Sequence, residues 1–303
     1  MFSTRSGAAK LSLAVVTGLI VLKVAVALIT GSISVFAQAA DSSLDLLAVV
    51  ITFFAVGIAT RPADEEHPFG HGKVESIAAI IQAILIFAAD GWIIYSAIRR
   101  IITGVTVELT EAGIGVMLIS IIVSIFLSRH LLKVSQATDS MALEANARNI
   151  AADVYSAAGV LVGLVAIRFT GFNILDPIIA LVVALIILKV AYDVLRKSFG
   201  GLIDVRLPQA EEDEIAASIM EHSGQVVGFH ELRTRKAGSQ RFIEFHLVVP
   251  RDANVEEVHQ LCDHLEQDIG DKLRNTNVTI HVEPCSEECD QCSASCPLPR
   301  VKD

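Results

Sequence analysis

The first 261 of the 303 residues contain no cysteine, so no thiolate metal site and no disulfide can be built from that part of the chain. Positive charge is also in short supply. Lys and Arg number 24 against 34 Asp and Glu, a formal net charge of −10, which is the wrong sign for a nucleic-acid partner. A third absence concerns hydrolysis. His230-Glu231 is followed by Thr234 where a helical His-Glu-x-x-His zinc motif requires its second histidine, which argues against a membrane metalloprotease; the chain is not expected to be an enzyme.

The deficit of positive charge is local. Residues 1–203 hold 14 basic and 14 acidic groups, whereas residues 204–303 hold 10 basic and 20 acidic ones. The surplus therefore belongs to a polar C-terminal part and suits a cation-collecting surface. The five cysteines follow the same division: Cys262 stands alone, and Cys285, Cys289, Cys292 and Cys296 crowd the last nineteen residues. In a reducing compartment that spacing favours thiolate metal binding or a reduced tail over a disulfide framework.

Apolar residues are abundant, at 52% hydrophobic with a mean hydropathy of +0.56, too much for an ordinary soluble chain. They fall in six runs, at 11–36, 39–60, 76–98, 112–132, 145–168 and 176–195, each near the roughly 20 residues that a helix needs to cross the hydrocarbon core. The first is too long for a signal peptide. The runs predict six transmembrane helices over residues 1–203. Arg5, Lys10, Arg61, Lys73, Arg129, Lys133, Arg196 and Lys197 collect on the side of the termini, against Arg99, Arg100 and Arg168 opposite. Both termini are therefore expected on the cytoplasmic face of the cell inner membrane.

Beyond Gly200-Gly201 the pattern becomes that of a small folded module over 204–285. An amphipathic helix is expected at 209–222, strands at 226–235 and 240–249 around Ala237-Gly238-Ser239, a helix at 254–273 and a last strand at 278–283. The αββαβ order predicts an α+β domain of ferredoxin-like or metallochaperone-like form. Residues 286–303 read as a Cys-rich disordered tail.

Several polar groups interrupt the apolar runs. Asp41-Ser42-Ser43-Leu44-Asp45 sets two carboxylates at i and i+4, and Asn149 and Asp153 repeat that spacing in the fifth run. A helix puts i and i+4 on one face, and each Asp near a membrane centre costs roughly 2.5–3.5 kcal/mol on an insertion scale. Two such faces that converge make a cation site of three carboxylates and an amide oxygen. Lys23 and Asp90 lack a spaced partner and read as vestibule or packing residues. Asp64, His67 and His71 bring three metal-ligand side chains into one loop. In the C-terminal module, His246 lies on the strand face opposite Ile243, Phe245 and Leu247, and His281 and Glu283 share a face by the period of two.

Asp41-Ser42-Ser43-Leu44-Asp45, followed by Pro62-Ala63-Asp64-Glu65-Glu66-His67-Pro68-Phe69-Gly70-His71-Gly72-Lys73-Val74-Glu75-Ser76, resembles the cation diffusion facilitator family. His230-Glu231-Leu232-Arg233-Thr234-Arg235 and Ile280-His281-Val282-Glu283-Pro284-Cys285 resemble its bacterial ferrous-iron/zinc efflux branch. The resemblance spans about residues 10–285 and implies a homodimer in the lipid bilayer that exports divalent metal (Zn, Fe, Mn or Co) in exchange for protons by alternating access. It implies a transport site on Asp41, Asp45, Asn149 and Asp153, a second site on Asp64, His67 and His71, and a regulatory cytosolic site on His230, His246, His259, His281 and Glu283. It further implies an ion pair between Lys73 and Asp204. The chain departs from that branch where a histidine is usual and Asn149 stands. An amide oxygen is hard and cannot titrate, so the expected preference moves toward Mn²⁺ or Fe²⁺ relative to Zn²⁺. Glu283 replaces the branch's Asp, and Val282 a common glutamine. Cys285, Cys289, Cys292 and Cys296 form a possible soft-metal tail outside the resemblance, Cys285 excepted. The alternative reading is a membrane metal sensor or scaffold that binds ions without transporting them.

Overall fold

The structure, a computed structural model, describes residues 3–31, 33–103, 111–170, 172 and 174–285. The chain divides into two compact units, Met1–Gly200 and Gly201–Asp303.

Six long helices make up the first unit: α1 (Arg5–Thr30), α2 (Ile33–Ala59), α3 (Lys73–Thr103), α4 (Glu111–Thr138), α5 (Met141–Thr170) and α6 (Leu175–Leu202). The side chain of Thr4 caps α1 by accepting a hydrogen bond from the Gly7 amide, and Gly31 ends it in the left-handed region at φ 66°, where a residue without Cβ is at no disadvantage. That stop corrects the sequence expectation of a first helix running to residue 36. The apolar run continues past Gly31, but the chain turns there and the remainder belongs to α2. The other helices also outrun their apolar segments, because polar residues at their ends, such as Lys73 and Glu75 of α3, keep helical geometry outside the apolar zone. Among the described residues five helices are by length and composition long and apolar enough to cross a membrane, and α2 contributes the apolar stretch Asp45–Ala59.

Helices α1, α2, α4 and α5 share one core with the start of α3, in which Val16, Val49, Val56, Leu131, Leu143 and Ile150 meet many alanines. A smaller cluster joins Ala79 and Ala83 of α3, Ala145 of α5 and Val194 of α6, and another joins Ile86, Ala152, Ile187 and Ala191. Small residues let membrane helices approach closely. At Gly159 of α5 a Cβ would lie 2.8 Å from Val183 Cγ2 of α6. Large apolar side chains such as Phe54, Trp92 and Phe126 point outward, as lipid-facing residues do. Polar contacts inside the bundle set its register: Gln82 Nε2 donates to Thr52 Oγ1 at 2.8 Å, Asn146 Nδ2 to Ser12 Oγ at 2.9 Å, and Ser128 Oγ to the Ala147 carbonyl at 2.9 Å.

Near the starts of α1, α3 and α5, the fully buried Glu75 accepts hydrogen bonds from Arg5 Nη1 at 3.2 Å and Ser140 Oγ at 2.6 Å. One carboxylate thus ties three helix ends together.

The second unit contains α7 (Gln209–Glu221), β1 (Gly228–Ala237), β2 (Gln240–Val249), α8 (Val255–Lys272) and β3 (Thr276–Pro284). The sheet order is β1-β2-β3, with β1 antiparallel and β3 parallel to β2, because α8 supplies the crossover that a parallel pair requires. This is the expected αββαβ domain. Ala237 pairs with Gln240, leaving Gly238-Ser239 as a two-residue turn with Gly238 at φ 62°, which suits a glycine at the first central position. Ile243, Phe245 and Leu247 of β2 pack on Ile215 and Ile219 of α7 and on Leu261, Leu265 and Ile269 of α8. Both helices therefore cover one face of the sheet, and the other carries the histidines.

Replacing Glu75 by Ala strands the Arg5 and Ser140 donors and should destabilise the protein by about 3 kcal/mol. Glu75→Gln, which keeps an acceptor, should cost less. Thermal denaturation of the detergent-solubilised chain measures both, and equal melting temperatures for Glu75→Ala and the unmodified protein would refute the tie.

Candidate metal centres

The cluster of the second unit begins with strand register. His230 of β1 is opposite His246 of β2, and His246 is opposite His281 of β3, so one cross-strand row carries three imidazoles on the face away from the helices. The ring centroids are 5.1 Å apart for His230 and His246 and 4.6 Å for His246 and His281. Glu283, two residues beyond His281 and hence on the same face, reaches back across the row. Its Oε2 lies 3.1 Å from His230 Nε2 and its Oε1 2.9 Å from His246 Nδ1. One ligand atom from each of His230, His246 and Glu283 falls within 4.8 Å of the others. His281 borders this set, its Nε2 being 3.6 Å from Glu283 Oε1. His259 stands apart on α8, 75% exposed, with Nδ1 3.8 Å from Asp263. Partial desolvation pushes the Glu283 carboxyl up, but the hydrogen bonds and charges of His246 and His230 outweigh it and leave the group below its ordinary value.

Glu231 escaped the sequence reading. Strict alternation would put it on the face opposite its neighbour His230. The pairing slips by one residue between His230 and Arg233, and Glu231 sits at φ 52°, so the bulge turns its carboxylate back. Glu231 Oε2 then lies 3.8 Å from His246 Nε2. Only the adjacent His230-Glu231 pair hinted at this.

The loop cluster lies between α2 and α3. Asp64 Oδ1 accepts from the His67 amide at 2.7 Å and lies 3.1 Å from His67 Nδ1, while Asp64 Oδ2 lies 3.3 Å from His71 Nε2. The turn that folds the two histidines onto one carboxylate passes through Gly70 at φ 77°, whose amide donates to the His67 carbonyl at 2.8 Å. The three ligand atoms again fall within 4.8 Å. The backbone hydrogen bond from His67, helped by the two rings, holds the Asp64 carboxyl below its ordinary value.

In the membrane unit, α2 packs against α5 and their apolar faces share one core. Asn149 is buried at 7% exposure, whereas Asp45 of α2 is half-buried and Asp153 of α5 exposed. Asp41 lies in α2 with its side chain outside the described residues. Asp90, on the buried stripe of α3, is 1% exposed with neither carboxylate oxygen hydrogen-bonded among the described residues. Of the cysteines, Cys285 is buried at the end of β3, and Cys289, Cys292 and Cys296 lie outside the described residues. Burial, with Glu266 and Asp263 nearby, pushes the Cys262 thiol up.

A unit of long apolar helices, joined to an α+β unit bearing a His/Glu cluster, fits the class of membrane transporters of metal cations. Residues 9–203 match the cation efflux transmembrane domain and residues 207–285 the cation efflux protein cytoplasmic domain. The chain is 34% identical over 286 residues to an uncharacterised transporter of Synechocystis, covering 93% of this chain and 92% of the relative. It is 32% identical over 281 residues to the cation-efflux pump FieF of Salmonella typhimurium, covering 93% of each. Among solved structures, one chain of the putative zinc transporter CzrB is 44% identical, covering 26% of this chain and 99% of that one, with a TM-score of 0.26. The metal-bound C-terminal domain of CzcD from Thermotoga maritima is 27% identical, covering 26% of this chain and 94% of that one, with a TM-score of 0.24. The protein belongs to the cation diffusion facilitator family of metal efflux transporters.

The depressed carboxyl of Glu283 has a pH consequence. Its contribution to stability is present above its unfolded value of 4.5 and is lost as pH falls from there through the lower folded value. Replacing His230 and His246 together by Ala removes the groups that lower it and leaves the desolvation. The carboxyl midpoint should then rise to 4.5 or above, as read by carboxyl-carbon NMR titration. An unmoved midpoint would mean that the histidines do not hold the carboxylate.

Proposed function

We propose that the protein is a homodimeric antiporter of the cell inner membrane, with both termini in the cytoplasm, that exports a divalent transition metal in exchange for protons. Asp41, Asp45, Asn149 and Asp153 hold the ion during transport. The observation that carries this reading is the buried Asn149 on α5, one turn from Asp153, in a helix packed against the one that bears Asp41 and Asp45. Asp45 is half-buried and Asp153 exposed, and a carboxylate within a membrane-spanning segment is costly unless it is paired; a divalent cation is the partner that these carboxylates fit. Metal and protons compete for the same oxygens, so a site that alternates between the two membrane faces exchanges one for the other. The relative named as a cation-efflux pump supports the direction of transport.

The donors are all oxygen. Hard oxygen ligands favour Mn²⁺ and Fe²⁺ more than an imidazole site does, so the preference of this chain moves toward those ions relative to Zn²⁺. Asp64, His67 and His71 form a second metal site in the loop. The cluster of His230, His246 and Glu283, with His281 beside it and His259 supplied across a dimer, senses cytosolic metal. Metal there offsets repulsion between two acidic domains and tightens the dimer by mass action.

Proteoliposomes with a pH gradient test the transport site. Asp45→Asn and Asp153→Asn should each abolish metal-coupled proton flux while the protein still inserts and purifies as the unmodified chain does. Retained exchange in either refutes the assignment and would favour a non-transporting sensor. In the same assay Asn149→His should raise Zn²⁺ transport relative to Mn²⁺, and an unchanged ratio would remove the amide from metal selection.

A further inference from the structure

We propose that Lys23 is a built-in counter-ion of the transport-site carboxylates, and that it sets how tightly the site holds its metal. The proposal rests on the reading of Asp41, Asp45, Asn149 and Asp153 as that site. Lys23 lies in α1, within a segment apolar enough to cross a membrane, and its Nζ donates to Ser42 Oγ of α2 at 2.5 Å. Ser42 is buried and stands between the two carboxylates, next to Asp41 and three residues before Asp45. The contact brings an ammonium group to the depth of the acidic pair.

Helix register agrees with that depth. Lys23 precedes the Gly31 break by eight residues and Asp41 follows it by ten, so the two lie level on helices joined by a short connection. On α5 the reference point is the hydrogen bond from Asn146 to Ser12. From there Lys23 is eleven residues along α1 and Asp153 seven along α5, about 16 Å and 10 Å at the rise of an α-helix. Helical side chains lean toward the N-terminus of their helix, which lowers the lysine head group toward Asp153.

The anions available to Lys23 are few. From α2 they are Asp41 and Asp45. From α5 they are Asp153 and Glu144, and Glu144 pairs with Lys197 near the start of that helix. No acidic residue occurs between Ile114 and Thr138 of α4. Of the bases nearby, Arg148 is next to Asn149 in sequence and is therefore turned about 100° from it on α5. An ammonium group at this depth is as costly to leave unpaired as a carboxylate, and the carboxylates that relieve it are those of the metal site.

The charges then close. Three carboxylates carry −3, a divalent ion supplies +2, Lys23 supplies +1, and Asn149 is neutral, so the loaded site is electrically balanced in a region where imbalance is expensive. Without metal, the tethered cation relieves part of the mutual repulsion of the carboxylates. It also weakens the hold on the incoming ion, because a positive charge fixed near a cation site opposes binding, and so it favours release.

Equilibrium binding of Zn²⁺ to the full chain in detergent, taken as the difference from Asp45→Asn, isolates the membrane site, and Zn²⁺ uptake into proteoliposomes reports turnover. Lys23→Met should tighten that binding by about tenfold or more and slow uptake at saturating Zn²⁺, whereas Lys23→Arg, which keeps the charge, should stay within about twofold of the unmodified chain. Unchanged or weaker affinity in Lys23→Met overturns the proposal and leaves the lysine a packing residue between α1 and α2. If Lys23→Met fails to insert, Lys23→Gln carries the same expectation. Asp45→Asn binding as many Zn²⁺ ions as the unmodified chain would instead overturn the site on which the proposal rests, whatever Lys23 does.

Discussion

A charge inside an apolar bundle must find a partner, and the membrane unit is arranged around that requirement. Its helices bury alanines and valines and turn Phe54, Trp92 and Phe126 outward, so the interior offers little to solvate an ion. Several of the polar groups that do occur inside are matched: Gln82 with Thr52, Asn146 with Ser12, Lys23 with Ser42, and Glu75 with Arg5 and Ser140. Each match crosses from one helix to another, so the bonds that satisfy polar groups also fix helix register. Asp90, Ser120 and Ser198 depart from this pattern, since their side-chain oxygens have no hydrogen bond among the described residues.

The second unit meets the same electrostatic demand by other means. Its sheet buries one face under α7 and α8, and the free face collects imidazoles in a row because His230, His246 and His281 fall in register across three strands. Glu283 supplies the negative charge that the row needs and draws two of the rings to hydrogen-bond distance. Parallel pairing of β2 with β3 depends on the α8 crossover, so the helix that closes the core is also what brings Glu283 beside His246. In the loop cluster the ordering device is a turn, with Asp64 holding the His67 amide and both histidine rings.

Much of this was legible in the residues. Apolar runs located all six helices of the first unit, and alternation located the strands, because burial imposes those periods directly. The end of α1 was misplaced, since hydrophobicity does not register a left-handed glycine at position 31. Glu231 was missed because alternation assumes regular pairing, and a bulge breaks it. Lys23 read as a vestibule residue because nothing in α1 is spaced to match it, and its partner Ser42 belongs to another helix.

The sequence by itself determined the class of the protein: an apolar first part, an acidic α+β second part, and carboxylates and histidines at spacings that place them on common faces. Those properties depend on neighbours within one helix or strand, where the periods of 3.6 and 2 fix which side chains share a side. Only the tertiary structure decided which faces meet. The row His230-His246-His281, the reach of Glu283 across it, the bulge that returns Glu231, and the approach of Lys23 to Ser42 all join residues from different elements. Local periodicity carries no information on strand register or on the rotation of one helix against another, because those are set by packing and by hydrogen bonds made across the fold.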